Sequence, residues 1–143
     1  MKKTILVLFV LFFNFSAFCQ INVSDLGKKN FSEVKNAHNR SSPCEVTEKK
    51  VLTYCVEDGS MLSYLFDNEL LNGIMTMTAF STQYAAEREL EKEISEQKST
   101  LGIEPFISNG KTMFYTISSP IYITYSVENQ NSTYYMIYYV AKK

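Results

Sequence analysis

The segment Ile74–Gly102, with the sequence IMTMTAFSTQYAAERELEKEISEQKSTLG, joins a strand pattern directly to a helix pattern. Residues 74–80 alternate two sets of side chains, as an extended strand does. The residues that follow are good helix formers without Gly or Pro, with Ser81 or Thr82 as the N-cap and Gly102 as the stop. A strand that leads into a long helix predicts a protein of mixed α and β structure.

The predicted helix, residues 82–101, is amphipathic. The residues of its narrow apolar stripe are Ala86, Leu90, Ile94 and Leu101. Such a stripe predicts that one face of the helix packs on a sheet. Two glutamates one turn apart, Glu89 and Glu93, could share a cation, but the interleaved Arg and Lys residues favour a solvated face.

Strand patterns lie on both sides of this helix. The patterns before it are Val51–Val56, Met61–Phe66 and Ile74–Phe80. The patterns after it are Ile103–Ile107, Lys111–Ile117, Ile121–Val127 and Thr133–Val140. Because tight-turn sequences such as Asn109-Gly110 separate several of them, we expect an antiparallel arrangement.

A shorter helix is predicted over residues 31–39. Asn30 and Glu33 form a capping-box pattern at its start, and apolar residues follow at helical spacing. The order of elements is therefore α-βββ-α-βββ(β). We expect a single α+β domain over residues 20–143, an antiparallel β-sheet with two helices packed largely on one face.

Residues 1–19 have the pattern of a cleaved secretory signal peptide. Two lysines precede the apolar run Ile5–Phe13, and the small residues Ala17 and Cys19 precede a cut before Gln20. The apolar run is too short to span a membrane stably. The sequence therefore predicts export to the periplasm or to the extracellular space.

The cysteines lead to two further expectations. A lipoprotein anchored at Cys19 is the alternative to soluble export, but the large Phe18 before it fits the lipoprotein cleavage pattern badly. Cys44 and Cys55 remain after cleavage in an oxidising compartment, where a disulfide is the expected state. A free, reactive thiol pair is the alternative, although the C-x-x-C spacing of redox sites is absent.

The composition argues against several classes of function. The formal net charge is −1, and it becomes more negative when the two leader lysines are removed. A weakly acidic chain without a basic cluster is a poor candidate for binding nucleic acid or anionic membranes. His38 is the only histidine, and we interpret it as a hydrogen-bonded residue of the core or its rim. We therefore predict no catalytic residue, no metal site and no cofactor.

The last strand pattern, Thr133–Val140, is unusually rich in tyrosine. Two of its tyrosines lie on each face, and two more lie on the predicted hairpin partner. The six are Tyr122, Tyr125, Tyr134, Tyr135, Tyr138 and Tyr139. Because a single-layer sheet with helices on one side cannot bury both faces, one tyrosine pair must be exposed, covered by a loop or used to bind a partner.

Residues Asn30, Glu33 and Val34, followed by Tyr54 and the run Leu65–Asn68, resemble the small α/β module of β-lactamase-inhibitor-like proteins and of outer-membrane assembly lipoproteins. There, a capped helix with a Glu-Val pair leads into strands that carry Tyr, Phe and Asn. The resemblance covers part of the first half of the chain and implies a protein-binding module rather than an enzyme. The whole chain also resembles the small exported proteins of unknown function that are common in Bacteroidetes.

The leading functional hypothesis is an exported, non-enzymatic protein that binds an unidentified protein partner through the tyrosine-rich face. The alternative is a carrier of a small apolar ligand. Its cavity would lie between helices and sheet, lined by the strand of Met75 and Met77 or by that of Phe114. An enzyme is the third hypothesis, and it would have to rely on a carboxylate pair such as Asp67 with Glu69, which lies in a predicted turn.

Overall fold

The structure is a computed structural model that describes residues 21–38 and 41–143, so the predicted signal peptide and its cut before Gln20 lie outside the described residues. The helical elements of the described part are a 3₁₀ helix (Val23–Asp25), α1 (Phe31–Ala37) and α2 (Gln83–Leu101). The strands are β1 (Glu45–Thr47), β2 (Val51–Cys55), β3 (Met61–Asp67), β4 (Leu70–Phe80), β5 (Phe106–Ser108), β6 (Lys111–Tyr115), β7 (Ile121–Gln130) and β8 (Thr133–Lys142).

All strands join one antiparallel sheet in the order β1-β2-β3-β4-β8-β7-β6-β5. The chain therefore makes two four-strand meanders, and α2 connects the first to the second. The last strand of each meander, β4 and β8, pair at the centre of the sheet. This arrangement confirms the predicted α+β class and the antiparallel sheet.

Both helices begin where side-chain capping predicts, and α2 ends before Gly102 as predicted, whereas α1 ends at Ala37 rather than at residue 39. At α1, Asn30 Oδ1 accepts from the Glu33 amide at 3.0 Å, and the Glu33 carboxylate accepts from the Asn30 amide at 2.7 Å. At α2, Thr82 Oγ1 accepts from the Ala85 amide at 3.2 Å, and Gly102 follows the helix with a φ of 65°. Glycine adopts that left-handed conformation without strain, which ends the helix.

The core lies between the helices and one face of the sheet, which we call the inner face. Val34 of α1 packs there against buried sheet residues, and Leu90, Ile94 and Leu101 of α2 pack against the same cluster. The largest completely buried side chains of the inner face include Tyr64, Tyr125 and Phe114. Both helices thus cover a single face of the sheet, as the sequence predicts. Within the described residues, no helix is long and apolar enough to cross a bilayer.

One expectation about α2 is wrong. The sequence places Glu93 on a solvated face, yet its Oε2 atom is buried and has no hydrogen-bond partner. The physical reason is helical periodicity: position 93 lies beside Leu90, Ile94 and Gln97 on the side of the helix that faces the sheet.

The bounds of several strands also differ from the sequence patterns. β1 is a strand that the sequence analysis did not find, and β5 starts at Phe106 rather than at Ile103. Pro105 explains the second difference, because proline has no amide hydrogen to give to the ladder. β4 starts at Leu70 rather than at Ile74, β7 continues to Gln130, and β8 starts at Thr133 as predicted but continues to Lys142. A tight turn at Asn131–Ser132, where both residues have positive φ, joins β7 to β8.

The predicted disulfide is confirmed. Cys44 and Cys55 are bonded, with their Cα atoms 5.8 Å apart. Cys44 directly precedes β1 and Cys55 ends β2, so the bond ties the outermost hairpin of the sheet together. The bond thus links the start of β1 to the end of β2, two neighbouring strands.

Candidate functional site

The opposite face of the sheet, which we call the outer face, is the candidate site. Within residues 21–38 and 41–143, both helices pack on the inner face, so the outer face has no helix over it. Strand register fixes its members. One row of directly paired residues across β2, β3, β4, β8, β7 and β6 is Thr53, Ser63, Met75, Tyr139, Thr124 and Met113.

The rows on either side of this one are also apolar or small. The row towards the C-terminal end of β8 is Leu65, Gly73, Ala141, Tyr122 and Tyr115. The row on the other side is Met61, Met77, Ile137 and Ser126. Among the residues that the structure describes, no charged side chain lies in the middle of the outer face. Glu45, Lys111 and Glu128 lie at its margins.

Gly73 shapes the centre of the outer face. A Cβ atom at this position would lie 2.7 Å from Tyr139 Cε2 and 2.9 Å from its hydroxyl oxygen, closer than atoms can pack. The missing side chain therefore lets the Tyr139 ring lie across β4, over the glycine backbone. The ring is held flat against the sheet instead of projecting from it.

Tyr122 fixes the Tyr139 ring from the neighbouring strand. The two ring centroids are 5.9 Å apart with an interplanar angle of 71°, an edge-to-face arrangement that aromatic pairs prefer. Burial of the hydroxyl, a hydrogen bond with Tyr122 and the nearness of that second phenol raise the pKa of Tyr139 to about 12. The Tyr139 phenol is therefore neutral at any physiological pH.

The aromatic row continues to the next strand. Tyr115 of β6 is paired with Tyr122 and is more exposed than Tyr122. The Lys143 ammonium lies 3.8 Å from the centroid of the Tyr115 ring, a cation–π contact. This row therefore runs from an uncharged centre to a basic margin.

Methionine is the second feature of the outer face. Four methionines lie on it, and they are Met61, Met75, Met77 and Met113. The small residues between them are buried: Thr53 and Ser63 share a hydroxyl–hydroxyl hydrogen bond of 2.9 Å beneath their larger neighbours. Met77 is also buried, at 7% exposure, so the partly exposed side chains of the outer face are mainly those of Met61, Met75, Met113 and the tyrosines.

The structure divides the six predicted tyrosines between the two faces. Tyr122, Tyr135 and Tyr139 lie on the outer face and are half-buried. Tyr125 and Tyr138 are 1% and 2% exposed on the inner face, and Tyr134 is also on that side. The predicted binding face thus does not hold all six residues together, because consecutive strand residues point to opposite faces.

The structure also places the three residues that the carrier hypothesis names. Met75 and Met77 lie on the outer face, so they do not line a space between helices and sheet, and Phe114 is packed in the core. A groove of about 380 Å³ opens to solvent at the start of α2, lined by Phe80, Tyr84, Ala85, Arg88, Glu89 and Lys92. Neither arrangement encloses an apolar ligand in the way the carrier hypothesis describes.

His38 has the structural role that the sequence predicts. It is 4% exposed, its Nε2 atom is 2.8 Å from the Tyr64 hydroxyl, and its ring stacks on Tyr54 with the centroids 4.1 Å apart. Burial lowers the pKa of His38, which favours the neutral ring. Among the described residues, no group of three or more His, Cys, Asp and Glu side chains could hold a metal ion.

The sequence analysis missed several residues of the outer face, among them Gly73, Met61, Met113 and Tyr115. One signal was present: along β8 both alternating sets of side chains are largely apolar, whereas a sheet with one face in water usually has a polar outward set. The contact between Gly73 and Tyr139 left no such signal, because it depends on strand register.

Comparison with protein-family models, with curated proteins and with solved structures finds no match to this chain. The resemblance to the β-lactamase-inhibitor-like module therefore stays a prediction.

Proposed function

We propose that this protein is an exported, non-enzymatic binding protein whose outer face takes up an uncharged, apolar surface of another protein. The observation that carries the proposal is the composition of a sheet face that no described helix covers. Methionine and tyrosine form its surface, and charges are confined to its margins.

Contact between apolar side chains and water is unfavourable in free energy, and a bound partner would remove that contact. Water-facing sheets normally alternate apolar side chains inward with polar side chains outward. Here the outward set of β8 includes Tyr135, Ile137 and Tyr139, and the outward set of β4 includes Met75, all of which are partly exposed. Contiguous apolar patches on soluble proteins mark interaction sites more often than scattered single residues do.

The chemistry of the face also limits the partner. A charged group buried against the middle of the outer face would lose its hydration and find no opposite charge, which is strongly unfavourable. The partner is therefore expected to present aliphatic or aromatic side chains. Methionine adapts its shape to such groups, and tyrosine contributes large contact area with little loss of conformational entropy.

The proposed location has separate support. The bond between Cys44 and Cys55 is of a kind that persists in oxidising compartments such as the periplasm or the extracellular space. The signal-peptide pattern of residues 1–19 indicates the same location. Both observations favour a partner that is itself outside the cytoplasm.

The test compares capture by three versions of the mature, oxidised protein from an envelope extract of its source. The wild type and Tyr84→Ser, which changes a tyrosine that is 73% exposed on α2, should retain the same stoichiometric partner. The double variant Tyr135→Ser/Tyr139→Ser should lose it while its circular dichroism spectrum is unchanged. Equal capture by all three proteins would show that the outer face is not the binding surface.

A further inference from the structure

Polar side chains interrupt the buried stripe of α2. Glu93 and Gln97 lie one turn apart on the side of the helix that faces β7 and β8. Gln97 is 5% exposed, and Glu93 is half-buried with its Oε2 atom removed from solvent. Apolar residues at these two positions would complete the stripe, so the presence of a glutamate and a glutamine calls for a physical explanation.

The facing strands supply two tyrosine hydroxyls. The Tyr125 hydroxyl donates to Gln97 Oε1 at 3.2 Å, which satisfies that pair. The Tyr138 hydroxyl is buried without a hydrogen-bond partner, as is Glu93 Oε2. The rings of Tyr125 and Tyr138 contact each other, with centroids 5.2 Å apart. Two unsatisfied polar atoms thus lie in the same contact between α2 and the sheet.

The charges around Glu93 oppose its ionisation. Burial is the largest cause, and the neighbouring carboxylates Glu96 and Glu89 add to it, so that the pKa of Glu93 rises from 4.5 to about 7. Lys92 acts in the opposite direction, but its ammonium is paired with Glu89 at 2.8 Å.

From the sheet, the titratable groups that interact with Glu93 are the phenols of Tyr125 and Tyr138. Burial raises the pKa of both, so both are neutral. β4, the third strand beneath α2, carries no titratable side chain. No group of the facing sheet therefore offers a positive charge to an ionised Glu93.

We propose that Glu93 controls how tightly α2 docks on the sheet, by being protonated when the helix is docked and by losing its proton when the helix loosens. A protonated carboxyl loses much less hydration free energy on burial than a carboxylate does, and no hydrogen-bond partner compensates the buried Glu93 Oε2 atom. An ionised carboxylate in the same place is desolvated beside two like charges. The docking of α2 on the sheet thus depends on the protonation of Glu93.

The direction of the pH effect follows from the linkage between the protonation of Glu93 and the docking of α2. A carboxyl whose pKa is raised on docking favours docking fully below pH 4.5, and this contribution is lost as the pH rises towards about 7. One proton changes the docking equilibrium by at most about tenfold per pH unit, and the partial exposure of Glu93 makes several-fold the expected size. Above about pH 7 no further loss arises from this group.

The first measurement is the titration of the Glu93 side-chain carboxyl by ¹³C NMR in the full mature protein. Proton-dependent docking requires that the pKa of Glu93 lies well above 4.5, near neutrality. A pKa in the ordinary range of exposed glutamates would overturn the proposal, because the docked helix would then hold an ionised Glu93.

The second measurement is hydrogen exchange of the α2 amides, corrected for the intrinsic pH dependence of exchange and compared with amides of β4 and β8. In the wild type, exchange across Gln83–Leu101 should rise several-fold from about pH 5 to about pH 7 relative to the sheet. Glu93→Gln should remove this rise, and Glu91→Gln, an exposed change of the same kind on the same helix, should retain it. A rise that persists in Glu93→Gln would assign the effect to another group and contradict the proposal.

Discussion

Tyr138 and Tyr139 are neighbours in the sequence of β8, yet the structure uses them in opposite ways. Tyr138 is 2% exposed beneath α2, where its ring packs against Tyr125. Tyr139 lies on the outer face, across Gly73 and against Tyr122. The residue type is the same on both faces, so what covers each face decides whether its tyrosines stabilise the fold or remain available to a partner.

The largest difference in stability between the two faces is expected when each of the two tyrosines is replaced separately by serine. Tyr138→Ser removes a completely buried ring and should lower the free energy of unfolding by about 3–5 kcal/mol. Tyr139→Ser removes a half-buried ring and should cost about 1 kcal/mol. Denaturant unfolding of both variants measures the difference, and equal losses would mean that the two faces are not distinct.

A second prediction concerns the inner face beneath α1. Since burial lowers the pKa of His38, the folded protein favours the neutral ring. This stabilisation is complete above the unfolded pKa of about 6.5 and is lost as the pH falls through the lower folded pKa, by at most about 1.4 kcal/mol per pH unit. Denaturant unfolding between about pH 7 and pH 5 should show the loss in the wild type but not in His38→Gln.

The stability contribution of His38 is lost as the pH falls, whereas the proposed contribution of Glu93 is lost as the pH rises towards about 7, so the two effects have opposite signs. The profile of each variant should therefore be subtracted from that of the wild type, so that the other group cancels. If the difference profile of His38→Gln is flat over this range, His38 does not titrate on unfolding as its burial requires.

A third prediction concerns the outer face alone. Gly73→Ala places a methyl group where the Tyr139 ring lies, so the ring must move and its contact with Tyr122 must change. Partner affinity should fall about tenfold, or about 1.4 kcal/mol, while the free energy of unfolding changes by less than about 1 kcal/mol. Unchanged affinity would show that the position of the Tyr139 ring does not matter for binding.

The smallest effect is expected at a site that belongs to neither face. Glu48 and Lys49 form the turn between β1 and β2 with φ values of 42° and 58°, a conformation that favours Asn and Gly. Glu48→Asn/Lys49→Gly should raise the free energy of unfolding by about 1 kcal/mol and leave partner affinity unchanged. A change in affinity here would indicate that binding follows overall stability rather than the outer face.

The sequence predicts elements whose determinants are local, and it fails where register or packing decides. The capping residues Asn30 and Thr82 and the stop at Gly102 act within one helical turn, so both helices are found correctly. The tyrosine pattern predicts that one pair lies on each side of β8. It does not say which pair α2 covers, because that depends on how the helix docks.

Glu93 and Gly73 show the same limit at single residues. The charge pattern of α2 suggests that Glu93 is solvated, and only the packed helix shows its buried oxygen. Gly73 could be any strand glycine until the pairing of β4 with β8 brings the Tyr139 ring onto it. Long-range pairing thus determines the parts of the candidate site that the local pattern does not contain.

The account is tested most directly by the dissociation constant of the captured partner for the wild type and for Tyr135→Ser/Tyr139→Ser, measured by isothermal titration calorimetry. If the outer face is the binding surface, the variant should bind at least about 100-fold more weakly, a loss of about 2.7 kcal/mol, while it remains folded. A dissociation constant within about twofold of the wild-type value in a folded variant would contradict the central claim.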